Sequence, residues 1–414
     1  MTKLANAFPI HEVREQFPAL NRTYNGKPVA YFDGPGGSQT VKSAIQEMAS
    51  YMANGGANLH GSFPTSRETE AIIAEAREAV ADLFGAKPQE VAFGANMTTL
   101  TFAIARALGR NWRAGDELVV TELDHRGNVD PWLAVAADRN MTVRWLKVDP
   151  KKLTLDLDEL DSIITPNTRL VAVGLASNAV GTINDVERIA RHARQAGALV
   201  AVDAVHAAPH FAIDRDQIGA DILTCSAYKF FGPHIGITVI REGLFEQLQP
   251  YKLAPAPDYL PDKLETGTQN HEGIAGIRPA IDFIASLGSG ANRRERIIAG
   301  FERLEEHENR LAARLRSALA EMDGVTLYEA DASVAKTPTI AFRIEGWSPQ
   351  EVCLRMAEDH AVFIADGDFY ASTLADKLEI NPSGWIRAGL APYNSDEEVD
   401  RFIAGLRLLI SGGK

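Results

Sequence analysis

Between residues 90 and 240 the chain repeats one pattern: a short apolar run, a turn of small or polar residues, then a helically spaced stretch. The runs at 90–93, 117–121, 142–146, 169–175, 198–202, 220–224 and 236–240 read as strands. The stretches at 40–53, 66–84, 100–108, 157–164, 186–195, 243–249 and 273–287 read as helices, with Thr65 or Ser66 as N-cap of the second and Gly197 closing the fifth. Strands alternating with helices predict an α/β fold. An earlier strand at 29–33 runs into the turn Gly34-Pro35-Gly36-Gly37-Ser38, which reads as a substrate-facing loop, with a plain turn or a phosphate-binding turn as the alternatives. Composition shifts at Gly288-Ser289-Gly290, followed by a long charged helix (292–322), strands at 325–329, 339–344 and 362–365, and helices at 349–360 and 395–411. The expected organisation is a polar N-terminal arm (1–30) packing with the small domain, a large domain (31–288) and a small C-terminal domain (289–414).

Length and charge narrow the function classes. A chain of 414 residues exceeds one small core. A net charge of -13 argues against a nucleic-acid surface or an anionic-membrane binder. Two cysteines, Cys225 and Cys353, form neither a disulfide framework nor a metal-ligand spacing. With no signal-peptide pattern and no membrane-length apolar run, the chain is expected to be cytoplasmic, with no membrane or nucleic-acid partner.

Candidate chemistry collects just past the strand ends, where open α/β sheets bind ligands. Lys229 follows the strand at 220–224 and a small-residue turn. Burial there would disfavour the ammonium and leave an amine able to form a Schiff base. Asp203 ends an apolar strand, and a buried carboxylate needs a partner; a protonated pyridine nitrogen would serve, and so would a cap on the next turn. The turn at 94–99 before a helix reads equally as an anion site or a plain helix start. His125 lies just beyond another strand. His206 and His210 read as solvated loop histidines or as cofactor contacts. His60 sits in a Gly- and Asn-rich loop between helices.

The combined set resembles the class V aminotransferase group of fold-type-I enzymes dependent on pyridoxal 5'-phosphate (PLP), within it the cysteine desulfurases and selenocysteine lyases. The resemblance runs from Tyr31-Phe32-Asp33 to Arg387. It implies an aspartate aminotransferase-like fold, with a mostly parallel sheet in the large domain and a smaller C-terminal α/β domain. Lys229, in Ser-Ala-Tyr-Lys, matches the Schiff-base lysine and would also act as base at Cα. Asp203 matches the partner of the pyridine nitrogen, and His125 the histidine stacked on the ring. Asn178 and His206 fall near the cofactor's phenolic oxygen, His206 in place of a glutamine. Met97, Thr98 and Ser226 fall around the phosphate, with Tyr228 replacing a phosphate-contacting histidine. Thr268, in Glu-Thr-Gly-Thr, matches a residue supplied by the neighbouring subunit, which implies a homodimer. Arg387 matches the arginine that clamps the substrate carboxylate.

One departure bears on the reaction. The desulfurases carry a persulfide-forming cysteine on the loop after the strand near Val362, and here that position falls at about Tyr370. Cys225 and Cys353 are no evident substitutes. Asp366, Asp368, Tyr370 and His60 are expected near the substrate side chain. The resemblance therefore implies an amino-acid enzyme working through a Cα carbanion, with β-elimination of sulfur or selenium as the first reading. Transamination and epimerisation are the alternatives, and a PLP-binding scaffold without activity is the reading from a different class.

Overall fold

The computed structural model describes residues 8–412, so the first seven residues of the expected arm lie outside the described residues. A seven-stranded sheet forms from β1 (Val91–Gly94), β2 (Glu117–Thr121), β3 (Thr142–Leu146), β4 (Thr168–Gly174), β5 (Leu199–Asp203), β6 (Ile222–Ser226) and β7 (Gly236–Ile240). Its order is β1-β7-β6-β5-β4-β2-β3. Neighbours among β2 to β6 pair in parallel, while β7 runs antiparallel between β6 and β1.

Side chains alternate across each strand. Val119, Val171, Val173, Val200, Val202 and Leu223 enter one core, and Leu118, Val120, Leu170, Ala172, Ala201 and Ile222 enter the core on the other face. Burial on both faces explains why these strands read as continuous apolar runs. The same directionality brings the carboxyl ends of β2, β4, β5 and β6 to one edge of the sheet.

A second, antiparallel sheet follows β8 (Val325–Tyr328), β9 (Thr339–Ile344), β10 (Ala365–Gly367) and β11 (Trp385–Gly389), in the order β8-β9-β11-β10. Its core includes Phe342, Ile386, Val352 and Phe402. The helix Arg293–Ala320 joins the two cores: Ile297, Phe301 and Leu304 pack into the first, Leu311, Leu315 and Leu319 into the second. The N-terminal segment packs against this region too. Arg14 donates to Glu398 Oε1 at 2.9 Å, and Ala30–Tyr31 pairs in parallel with Val362–Phe363.

Several expected boundaries move for local reasons. The helix expected at 66–84 begins at Pro64 with Phe63 as N-cap, because proline suits the first helical turn. The helix expected at 100–108 starts at Met97, since Asn96 Oδ1 accepts the Thr99 N–H at 2.9 Å. A single turn, Leu160–Ile163, replaces the helix expected at 157–164. Gly276 divides 273–287 into His271–Ala275 and Ile277–Ser286. The helix Asp130–Arg139 was not expected; its Asp-Pro-Trp start has proline in the first turn.

Candidate active site

The lysine turn is set by its surroundings before any ligand is considered. After β6, Ala227–Lys229 makes one tight turn, with the Ala227 N–H on Ile235 O at 2.9 Å. Ser38 fixes its far side, accepting the Phe231 N–H at 2.8 Å and donating to Tyr228 O at 3.0 Å. Phe231 holds a left-handed backbone (φ 68°), costly for a bulky residue. Edge contacts with Phe17 and Phe283 hold it there, at ring centroids of 5.7 and 5.5 Å.

Lys229 is therefore buried, and its Nζ donates to Pro35 O and to Gly36 O, the latter at 3.1 Å. The Gly-Pro-Gly turn thus faces the lysine amine. Burial, then the Arg387 charge, lowers the Lys229 pKa to about 7, against the pull of Asp33 and Asp203. A lysine in this state presents a large neutral fraction near neutral pH.

Lys229 lines a cavity of about 290 Å³ together with Asp203, His206, Ser226, Tyr228, His125, Asn178, Met97, Thr98 and Arg387. Asp203 does cap the next turn, accepting the Val205 N–H at 2.8 Å, and also lines the cavity. Burial raises its pKa to about 7, and neighbouring Asp124 adds to the rise. Asp124 is itself raised to about 6 by burial, although it accepts from Asn128 Nδ2 and the Gly174 N–H, both at 2.8 Å. Asp203 and Asp124 both line the cavity, and a buried carboxylate calls for a cationic partner.

His125 accepts the Gly127 N–H on Nδ1 at 2.9 Å. Burial, then the charges of Lys229 and Arg387, lowers its pKa to about 4, so the ring is neutral. Ser226 Oγ accepts the Met97 N–H at 3.1 Å, locking the end of β6 to the start of the helix Met97–Gly109. Gly236, paired with Ser226, permits this approach, because a Cβ there would meet the Asn96 backbone. Tyr228 is half-buried and stacks on His234 at 4.7 Å.

Arg387 reaches the cavity from β11 in the second sheet. It donates through Nη1 to Asn178 O at 3.0 Å and through Nη2 to Asp33 at 3.2 Å, and its guanidinium carbon lies 3.7 Å from the Phe369 ring centre. Asn178 Nδ2 donates to Phe369 O at 2.8 Å. Asn178 Oδ1 and Arg387 Nε are buried with no protein partner. Leaving such groups unsatisfied costs about 1–3 kcal/mol each, so a polar ligand is the expected complement.

The remaining predicted residues divide. Tyr370 is exposed at the cavity mouth, its ring centre 5.3 Å from that of His125. Asp368 is half-buried; it accepts the Tyr370 N–H at 3.0 Å and lies outside the cavity lining. His60, with Nδ1 3.4 Å from Glu70, and Thr268 are both exposed and also outside the lining. His206 and His210 are buried, not solvated. Cys225 is buried in β6, burial raising its thiol pKa further, and neither it nor Cys353 lines the cavity. Among the described residues no cluster of histidine, cysteine and carboxylates is arranged to hold a metal, and no helix is long and apolar enough to cross a membrane.

Sequence reasoning missed Asp33, Asp124, Phe369, Thr337 and Thr339. Asp33 and Asp124 carried a usable signal, an acid just past an apolar strand as at Asp203. The two threonines meet His206 across 131 and 133 residues, and no local pattern marks them.

Aminotransferase class-V is the family matched, over residues 30–402. The chain belongs to the class V aminotransferase family. It is 34% identical to "Aminotransferase-like protein FGM3" of Gibberella zeae, covering 98% of this chain and 100% of that protein. It is 32% identical to a cysteine desulfurase of Enterobacter sp., covering 97% and 98%. Among solved structures, a cysteine desulfurase from Thermococcus onnurineus superposes with a TM-score of 0.88 at 29% identity, over 99% of this chain and 100% of that one. The class V protein is thus a fold-type-I, PLP-dependent enzyme of cysteine desulfurase-like type.

Proposed function

We propose that this class V enzyme removes the Cα proton of an amino acid and eliminates a sulfur or selenium substituent from Cβ. The observation that carries the reading is Lys229, a buried amine with lowered proton affinity on a cavity shared with Asp203, His125 and Arg387. PLP, when bound, supplies the electron sink for carbanion chemistry. Lys229 would hold the cofactor covalently and then take the Cα proton as a neutral amine. Asp203 would pair with the protonated ring nitrogen. The Thr98 N–H in the first turn of the helix Met97–Gly109, with the side chains of Thr98, Ser226 and Tyr228, would hold the phosphate. Asn178 and His206 would stand near the phenolic oxygen, and neutral His125 would cover the ring. Arg387 would clamp the substrate carboxylate, with Nε still free to donate.

Elimination is favoured over persulfide transfer because Tyr370, with no thiol, stands at the mouth. For cysteine the net reaction would be cysteine plus water giving pyruvate, ammonia and hydrogen sulfide. Product analysis of the PLP-loaded enzyme with cysteine, cystine and selenocysteine is the test. Pyruvate is expected with at least one of them, and about a hundredfold lower kcat/KM in Arg387→Ala, since leaving one member of a buried charge pair alone costs 2–5 kcal/mol. Alanine as product, pyridoxamine formation or inversion at Cα would overturn the elimination.

A homodimer is proposed as well. Thr268 and, on the same stretch of chain, the large side chains of Tyr251, Leu253 and Tyr259 are exposed. Glu265 anchors the Thr268 loop, through Arg77 at 2.8 Å and the Phe93 N–H at 2.8 Å. Light scattering should give twice the 45.0 kDa chain mass, and Thr268→Ala should weaken cofactor retention. A fully active monomer would refute this arrangement.

A further inference from the structure

His206 comes from the segment after β5 and lines the cavity, yet two hydroxyls from the second sheet hold it. Its Nε2 lies 3.0 Å from Thr337 Oγ1 and 3.0 Å from Thr339 Oγ1. The threonines are themselves fixed. Arg316 Nη2 donates to Thr337 O at 2.8 Å and to Thr339 O at 2.9 Å. The Thr337 N–H donates to Gly181 O at 2.9 Å, and Thr182 bridges Lys336. His206 is thus gripped by a segment stitched to the turn that carries Asn178.

Thr337 Oγ1 donates to Gly181 O at 3.3 Å, so its oxygen is left to accept. Nε2 as the donor to Thr337 Oγ1 leaves Nδ1 bare on a ring that lines the cavity. The charged and titratable groups around this ring are His210, Lys229 and Arg387. His210 is a T-shaped neighbour at 5.5 Å and is itself bonded to Glu308 at 2.8 Å. Burial, then His210, Lys229 and Arg387, oppose a second proton on His206, so the neutral ring is the stable state.

We propose that Thr337 and Thr339 are positioning residues that lock His206 as the Nε2–H tautomer, so that it presents an acceptor to the cofactor's phenolic oxygen and favours the protonated phenol. This rests on the cofactor placement proposed above. A glutamine at 206 could instead turn an N–H toward that oxygen and favour the phenolate.

The experiment loads the full chain with PLP and follows its absorption against pH, without substrate. Thr337→Val, Thr339→Val and His206→Gln should each raise the longer-wavelength phenolate band and move its titration midpoint by about one pH unit or more. Thr339→Ser, which keeps the hydroxyl, should restore the parental spectrum. His206→Gln decides the matter if a valine variant fails to fold. Bound cofactor with an unchanged midpoint in the folded variants would overturn the tautomer lock alone. A parent chain that takes up no PLP would overturn it together with the reading beneath it.

Discussion

Replacing Lys229 by alanine is expected to abolish the cofactor adduct fixed by borohydride and to lower turnover at least a thousandfold. The size follows from losing two functions of one amine. The covalent attachment disappears, and so does the base at Cα, which alone accounts for about 10²- to 10⁴-fold. The parent carries its own pH signature. With the Lys229 pKa near 7, about nine-tenths of the amine is neutral one unit higher, so cofactor capture should rise through neutral pH and level off above it. Lys263 is the control. It is buried too, but its Nζ donates to Glu246 O at 2.9 Å, away from the cavity. Mass spectrometry of reduced, digested protein should find the adduct on the Lys229 peptide in the parent and in Lys263→Ala. An adduct that persists in Lys229→Ala would sink the assignment.

Much of this site could be read in the chain because its parts obey local rules. Lys229, Asp203, His125 and Asn178 each stand at, or within four residues of, the end of an apolar strand. In a sheet whose neighbouring strands β2 to β6 run parallel, that position brings them to one edge whatever the loops do. Arg387 was legible only through resemblance, since it arrives from another sheet. What stayed hidden depends on distant pairing. The grip of Thr337 and Thr339 on His206, the Phe369 ring over Arg387 and the Asp33 contact with Arg387 all join segments far apart in sequence. Burial of His206 and His210 was missed for the same reason. A histidine in a connecting segment reads as solvated, but the segment 335–339 and Glu308 of the helix Arg293–Ala320 cover these two.

Asp203→Asn should separate stability from function. In the cofactor-free protein the Asp203 pKa rises from 3.8 to about 7, by burial and by the nearby Asp124. A carboxyl that holds its proton more tightly folded than unfolded favours the native state at low pH. That advantage is lost as pH climbs from about 4 to 7, and above 7 the buried charge opposes folding in full. An asparagine carries no such penalty. The variant should therefore match the parent below pH 4 and exceed it above pH 7, by a margin on the order of a few kcal/mol. Thermal melts of the cofactor-free proteins across this range would measure it. Turnover should move the other way. Without a carboxylate to keep the ring nitrogen protonated, the loaded variant should fall by about a hundred- to a thousandfold, comparable to losing an oxyanion-hole donor. A less stable variant above pH 7 would mean that Asp203 is already paired in the cofactor-free protein. Unchanged turnover would mean that it does not face the ring nitrogen. Both effects together would mark Asp203 as a charge kept at a cost to the fold for the sake of the cofactor.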